Sequence, residues 1–131
     1  YCTGRGERIE AVPPPSSSPS SFTLVKPEEG LSTPLVFQEL RAPQKGGLLP
    51  YSHFLNKYFN DLEAPAFSLA PSLKELKDTL LDSGFHTVIM TGSGSSFFCF
   101  GTGSIPSIPS LRGYRCHFIH RKKNNWYTSD L

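Results

Sequence analysis

"HTVIMTGSGSSFFCFG", residues 86–101, sets two short apolar runs on either side of Gly92-Ser93-Gly94-Ser95-Ser96. The runs "TVIM" and "FFCF" read as strands, and the loop between them admits two readings. Glycine reaches positive φ for a tight turn, and without a Cβ it also lets backbone N–H groups approach an anion closely. The stretch misses the P-loop pattern, because no lysine follows the second glycine, and it misses G-x-G-x-x-G. It lies between strands and not before a helix, so no helix N-terminus is aimed at it. Five consecutive small residues nevertheless exceed what a two-residue hairpin turn needs. A plain bend and a ligand loop both stay open on spacing alone.

Working outward, the stretch from Ser72 to Ser83 predicts the best helix. Ser72 can cap it, Glu75 stands at the capping-box spacing, and Gly84 supplies the stop. Leu73, Leu76, Leu80 and Leu81 share one face, opposite Lys74, Glu75, Lys77, Asp78 and Asp82. Further upstream, Ser32-Thr33-Pro34 reads as a helix start with a capping hydroxyl and a first-turn proline, followed by "LVFQELR". "YSHFLNKYF", residues 51–59, predicts a second short helix. "ERIEAV", with Ile9 and Ala11 on one face, and "FTLVKP", residues 22–27, predict two earlier strands. "PPPSSSPSS" at 13–21 and "APQKGGLLP" at 42–50 read as exposed loops. After Gly103 little regular period is visible, apart from a short final helix expected in "CHFIHRKKNNWY". The order strand, strand, helix, helix, helix, strand, strand favours an α+β fold, with helices on one face of an antiparallel sheet. The expected organisation is one domain over 1–103 and a C-terminal extension over 104–131.

Composition bounds the function. A chain of 131 residues holds one modest core. A net charge of +2 gives no case for nucleic-acid binding, which needs a clustered basic face. No run approaches the roughly 20 apolar residues that span a bilayer, so no membrane partner is expected. Cys2, Cys99 and Cys116 are odd in number and lack C-x-x-C spacing, which argues against a disulfide framework or a zinc site and for a reducing compartment. Cys99, inside an apolar strand pattern, reads as a core thiol. The chain begins Tyr1-Cys2-Thr3-Gly4 without an initiator methionine, signal peptide or transit segment, and is expected to be cut from something longer.

Other candidate sites are weaker. In "NDLEAPAF", residues 60–67, Asn60 or Asp61 can cap a helix, while Asp61 with Glu63 can hold a metal or act as a base. His53, His86, His117 and His120 show no i, i+4 metal spacing, and His117 and His120 stand beside Arg121-Lys122-Lys123 in what reads as a solvated basic stretch. No G-x-S-x-G elbow is present, so no acyl-transfer serine is indicated.

Four segments, in this order, resemble one family: "YCTGRGE" at 1–7, "KPEEGLSTPLVFQEL" at 26–40, "NDLEAPAF" at 60–67 and "MTGSGSSFFCFG" at 90–101. Together they resemble the C-terminal half of the 4-diphosphocytidyl-2-C-methyl-D-erythritol kinases, a family of the GHMP superfamily in the methylerythritol phosphate route to isoprenoids. "TGSGSS" is similar to the superfamily's third conserved motif, and the tail "CHFIHRKKNNWY" resembles plastid-type members. The resemblance implies a ferredoxin-like C-terminal domain, and transfer of the γ-phosphoryl of ATP, with Mg2+, to the 2-hydroxyl of 4-diphosphocytidyl-2-C-methyl-D-erythritol. It implies that Gly92, Ser93, Gly94 and Ser95 lie near the phosphates, with backbone amides as donors. Phe37 matches a position whose ring stacks on cytosine, and its other reading is a core residue of the short helix. Thr33 lines the same pocket by this resemblance, and Asn60 and Asp61 hold the architecture near it.

The family's ATP-cradling loop, catalytic aspartate and partnering lysine belong to an N-terminal half that these residues do not contain. No catalytic or metal-binding residue is therefore expected here, the missing half is the expected partner, and the chain alone is expected to be inactive. The tail resemblance implies the plastid stroma. A non-catalytic binding or interaction module that keeps the fold is the competing expectation. A GHMP kinase for mevalonate-type or homoserine-type substrates is a third, which "NDLE" and "GLSTPLVF" disfavour by resemblance.

Overall fold

The computed structural model describes residues 1–4, 6–12, 21–40 and 58–119. The elements are β1 (Cys2–Thr3), β2 (Arg8–Ile9), β3 (Ser21–Pro27), α1 (Thr33–Glu39), α2 (Glu63–Leu69), α3 (Pro71–Asp82), β4 (Phe85–Met90), β5 (Phe97–Gly101) and β6 (Leu111–His117). Four strands form one sheet in the order β4-β5-β3-β6, and every neighbouring pair is antiparallel. Because β5 lies between them, β3 and β4 run parallel, and the crossover from one to the other carries α1, α2 and α3. This is a split βαβ arrangement of the ferredoxin-like kind, with an α+β antiparallel sheet and helices on one face as the sequence predicts. It departs from that plan after β5, where residues 102–110 lead to β6 without a helix.

Strand register sorts the side chains between two faces. Val25 pairs with Phe97, which pairs with Met90, and Cys99 pairs with Val88. These five residues are buried, and they join Val36 of α1, Ala66 of α2, and Leu73 and Leu80 of α3 in one core cluster. Burying a side chain of this size contributes roughly 1.5–3 kcal/mol. The opposite face is aromatic. Phe22 meets Phe98 edge to face, with ring centroids 5.0 Å apart, and Tyr58 stacks on Phe100 at 5.0 Å.

α3 buries Leu73 and Leu80, as its leucine spacing predicts, while Leu81 stays 38% exposed. Its start differs from the prediction. Pro71 occupies the first turn behind Ala70, no side chain caps the helix, and Ser72 Oγ instead donates to Glu29 Oε2 at 2.6 Å. Proline pre-set for N1 moves the boundary ahead of Ser72 and removes the capping box. α1 likewise begins without a side-chain cap, with Ser32 at the N-cap. Gly84 ends α3 with φ 96°, a left-handed conformation that suits glycine.

Three expectations change. "LRGYRCH" is not irregular: it forms β6, paired with β3 over seven residues from Ser21↔His117 to Pro27↔Leu111. The sheet therefore continues past residue 103. Cys116 and His117 close that strand and Phe118 and Ile119 are not helical, so the expected final helix does not begin there; its remainder lies outside the described residues. "ERIEAV" contributes only Arg8–Ile9, in a separate hairpin with β1, and Ile9 is exposed rather than packed on a core. The helix expected at 51–59 falls outside the described residues except for Tyr58 and Phe59, which are not helical, as do the loop at 42–50 and most of the loop at 13–21.

Candidate functional site

The loop from Gly92 to Ser96 joins β4 to β5, and its own backbone closes it only in part. Thr91 N donates to Ser96 O at 2.9 Å, and Gly94 N donates to Thr91 O at 3.0 Å. Gly92 and Gly94 have φ of 53° and 91°. Gly94 is doubly constrained, because a Cβ there would stand 2.8 Å from Met90 Sδ and 3.1 Å from Leu31 Cδ1. Positive φ and close approach both require glycine at this position.

Side chains from distant positions fix the rest. Asn60 Nδ2 donates to Met90 O and Gly92 O, each at 2.7 Å, while Asn60 Oδ1 accepts from Leu62 N at 3.0 Å. One amide thus ties the loop to the turn that opens α2. Glu63 Oε1 accepts from Met90 N at 2.8 Å, and its Oε2 meets Lys77 Nζ at 2.6 Å with both side chains mostly buried. Ser95, buried to 6% exposure, donates through Oγ to Glu29 O. Thr33 Oγ1 and Ser93 Oγ lie 2.7 Å apart, which joins the start of α1 to the loop. The starts of α1 and α2 therefore both reach a loop that its position between strands leaves apart from any helix.

Among the described residues, the amide N–H groups of Gly92, Ser93 and Ser95 make no hydrogen bond, and the loop itself contains no carboxylate. Unclaimed amides in a glycine–serine loop are donors suited to an anion. Beside the loop, a cavity of about 350 Å³ is lined by Tyr58, Asn60, Ile89, Met90, Gly92 and Phe98.

The sequence-derived residues separate into groups. Hydrogen bonds join Thr33 to Ser93 and Asn60 to Gly92, Ser95 is held on the Glu29 carbonyl, and Gly94 packs against Met90 and Leu31. Phe37 is 55% exposed on α1, where Val36 takes the buried position, so the core reading of Phe37 does not describe it. Asp61 is exposed and has no hydrogen-bond or ion-pair partner among the described residues; it does not pair with Glu63. No group of three His, Cys, Asp or Glu among the described residues could hold a metal ion. Sequence reasoning missed what Glu29 and Glu63 do. Glu63 was visible only as half of a carboxylate pair, and the backbone carbonyl of Glu29 carries no side-chain signal at all.

Burial pushes the Cys99 thiol up to about 12, because an apolar interior disfavours the thiolate. It is a core group and not a nucleophile.

A family model described as "GHMP kinases C terminal" matches residues 39–105. The 4-diphosphocytidyl-2-C-methyl-D-erythritol kinase of Protochlamydia amoebophila (strain UWE25) is 48% identical over 131 residues, covering 98% of this chain and 44% of that protein. The chloroplastic enzyme of the same name from Arabidopsis thaliana is 36% identical, covering 97% of this chain and 38% of that protein. A crystal structure of 4-(cytidine 5'-diphospho)-2C-methyl-D-erythritol kinase superposes with a TM-score of 0.61 at 34% identity, over 76% of this chain and 39% of that one. The chain thus spans less than half the length of the relatives it matches. It belongs to the GHMP kinases and carries their C-terminal domain, whose sheet here is completed by β3 and β6 on either side of the matched stretch.

Proposed function

We propose that this chain is the substrate-side part of an ATP-dependent kinase that phosphorylates the 2-hydroxyl of 4-diphosphocytidyl-2-C-methyl-D-erythritol. The observation that carries the reading is the glycine–serine loop, held by Asn60, Thr33 and the Glu29 carbonyl while the amides of Gly92, Ser93 and Ser95 stay unclaimed among the described residues. A donor set of that kind fits phosphate oxygens, and pre-positioned donors cost no reorganisation when charge develops. ATP, when bound, supplies the γ-phosphoryl group that is transferred. The chain's own residues bind and orient. Phe37 offers an exposed ring for a flat base such as cytosine, and the Thr33–Ser93 bond fixes the spacing between that ring's helix and the phosphate loop. The general base for the 2-hydroxyl and the groups that hold magnesium are assigned to the other half of the enzyme, since no group of three His, Cys, Asp or Glu among the described residues could hold a metal ion. Both belong to an N-terminal half that completes the cleft.

The test is a kinase assay on two proteins: the 131-residue chain alone, and the chain joined to the N-terminal half of the Protochlamydia relative. The chain alone gives no ADP above a blank. The joined protein forms ADP only with 4-diphosphocytidyl-2-C-methyl-D-erythritol, and Phe37→Ala raises its KM by roughly tenfold with a smaller change in kcat. Preference for mevalonate or homoserine, or indifference to Phe37→Ala, overturns the substrate assignment. A plastid stromal location is proposed on the tail sequence and on the chloroplastic names of the plant relatives. A fluorescent fusion of the complete reading frame that stays outside plastids refutes it.

A further inference from the structure

At the end of the sheet opposite the glycine–serine loop, we infer a second anion site, one that takes a phosphate group or small phosphate ester. Arg115 and His117 stand two residues apart on β6 and so point to the same face. Register places Thr23 opposite Arg115 and Ser21 opposite His117 on β3. These four residues, with Gly101, Thr102 and Gly103 at the end of β5, line a cavity of about 360 Å³. Its polar side chains are thus one guanidinium, one imidazole and three hydroxyls, with no carboxylate among them. Neither the Arg115 nor the His117 side chain makes an ion pair or hydrogen bond among the described residues.

Charge on an edge strand also serves to discourage pairing with other chains, a role that Arg112 on β6 shares. Arg112 lines a different hollow, in which Glu28 is also present, so its charge has a counterpart nearby. Arg115 and His117 have none, and they share their hollow with hydroxyl donors. A guanidinium fork matches a phosphate in two parallel hydrogen bonds, and hydroxyls and backbone amides can satisfy the remaining oxygens. The chain at Gly101–Gly103 approaches β4 too closely for other residues. A Cβ at Gly103 would stand 2.5 Å from Phe85 N, and Gly101 has φ 114°. That keeps the rim backbone fixed beside the cations. Four residues of β5, Phe97 to Phe100, separate this site from the loop at 92–96, so the inference does not depend on the kinase reading.

The experiment is a titration of the isotope-labelled 131-residue chain, followed by amide NMR, with inorganic phosphate in one arm and glycerol 3-phosphate in the other. Saturable shifts at Gly101, Thr102 and Gly103 are expected, and a response at Gly92–Ser95 would report on the kinase loop separately. Arg115→Gln weakens binding at Gly101–Gly103 by about tenfold or more, while Arg112→Gln changes it less than about twofold. His117→Gln gives an intermediate loss and serves if Arg115→Gln disturbs the sheet. Tighter binding of glycerol 3-phosphate identifies an ester site, and equal binding identifies recognition of the phosphate group alone. Non-saturating shifts, or equal weakening by Arg112→Gln and Arg115→Gln, overturn the inference.

Discussion

The two ends of this sheet are both built on glycine, yet they use their polar groups in opposite ways. At the 92–96 end, Asn60, Thr33 and Glu63 reach in from separate elements and hold the loop and the strand before it by named hydrogen bonds. At the 101–103 end, glycines let two backbones approach, but the cations beside them hold nothing among the described residues. The first end is rigid because side chains from elsewhere enforce its shape. The second is shaped by backbone contact, and its charges have no partner among the described residues. The difference teaches that a glycine-rich loop declares its freedom in sequence, while its fixation is declared by residues far from it.

β5 runs between the ends, and ionising its middle should break both at once. Cys99 is raised to about 12 from 9.0, so the fold favours its neutral thiol. That contribution is complete below pH 9 and is lost as pH rises toward 12, since the unfolded chain ionises first. The stability gap between the native chain and Cys99→Ala should shrink by about 2 kcal/mol between pH 9 and about pH 11 in urea unfolding. A constant gap would show that the thiol is not buried as described.

Asn60→Ala removes a donor from the part-buried Met90 carbonyl and another from the exposed Gly92 carbonyl and should cost about 2 kcal/mol, loosening the loop end alone. Hydrogen exchange should then speed at Thr91 and Gly94, whose amides close the loop, and not at Gly101–Gly103; equal acceleration at both ends contradicts the comparison. Gly94→Ala should cost about 1.5 kcal/mol from its left-handed φ and its contact with Met90, read as a lowered urea midpoint. Arg115→Gln is the smallest change, within about 0.5 kcal/mol, because an exposed side chain without a partner among the described residues contributes little to folding. A larger loss would mean that Arg115 holds the sheet together.

Much of this architecture was legible in sequence. The leucine spacing of α3 and the apolar runs of β3, β4 and β5 announce themselves because each buries a face. β6 did not, because it is an edge strand: "LRGYRCH" is mostly exposed, carries two arginines and a glycine, and is recruited by backbone pairing to β3. "ERIEAV" erred the other way, since alternation without a core beneath it yielded only two paired residues. At the loop, the five small residues showed where to look. They could not show that Thr33 lies 60 positions from its partner Ser93, or that Asn60 spans to Gly92. Such pairings are set by the crossover, which brings the starts of α1 and α2 to one end of the sheet.

The strand order has a consequence for biosynthesis. β3 leaves the ribosome before the other strands of its sheet, yet its two neighbours, β5 and β6, are the last to emerge. Its buried Val25 therefore waits uncovered through the synthesis of all three helices, while β4 and β5 can form their hairpin as soon as both are free. The nascent chain cannot complete its sheet until Leu111–His117 has cleared the exit tunnel. Any product that stops before that point carries β3 as a naked edge, open to pairing with a neighbour's strand.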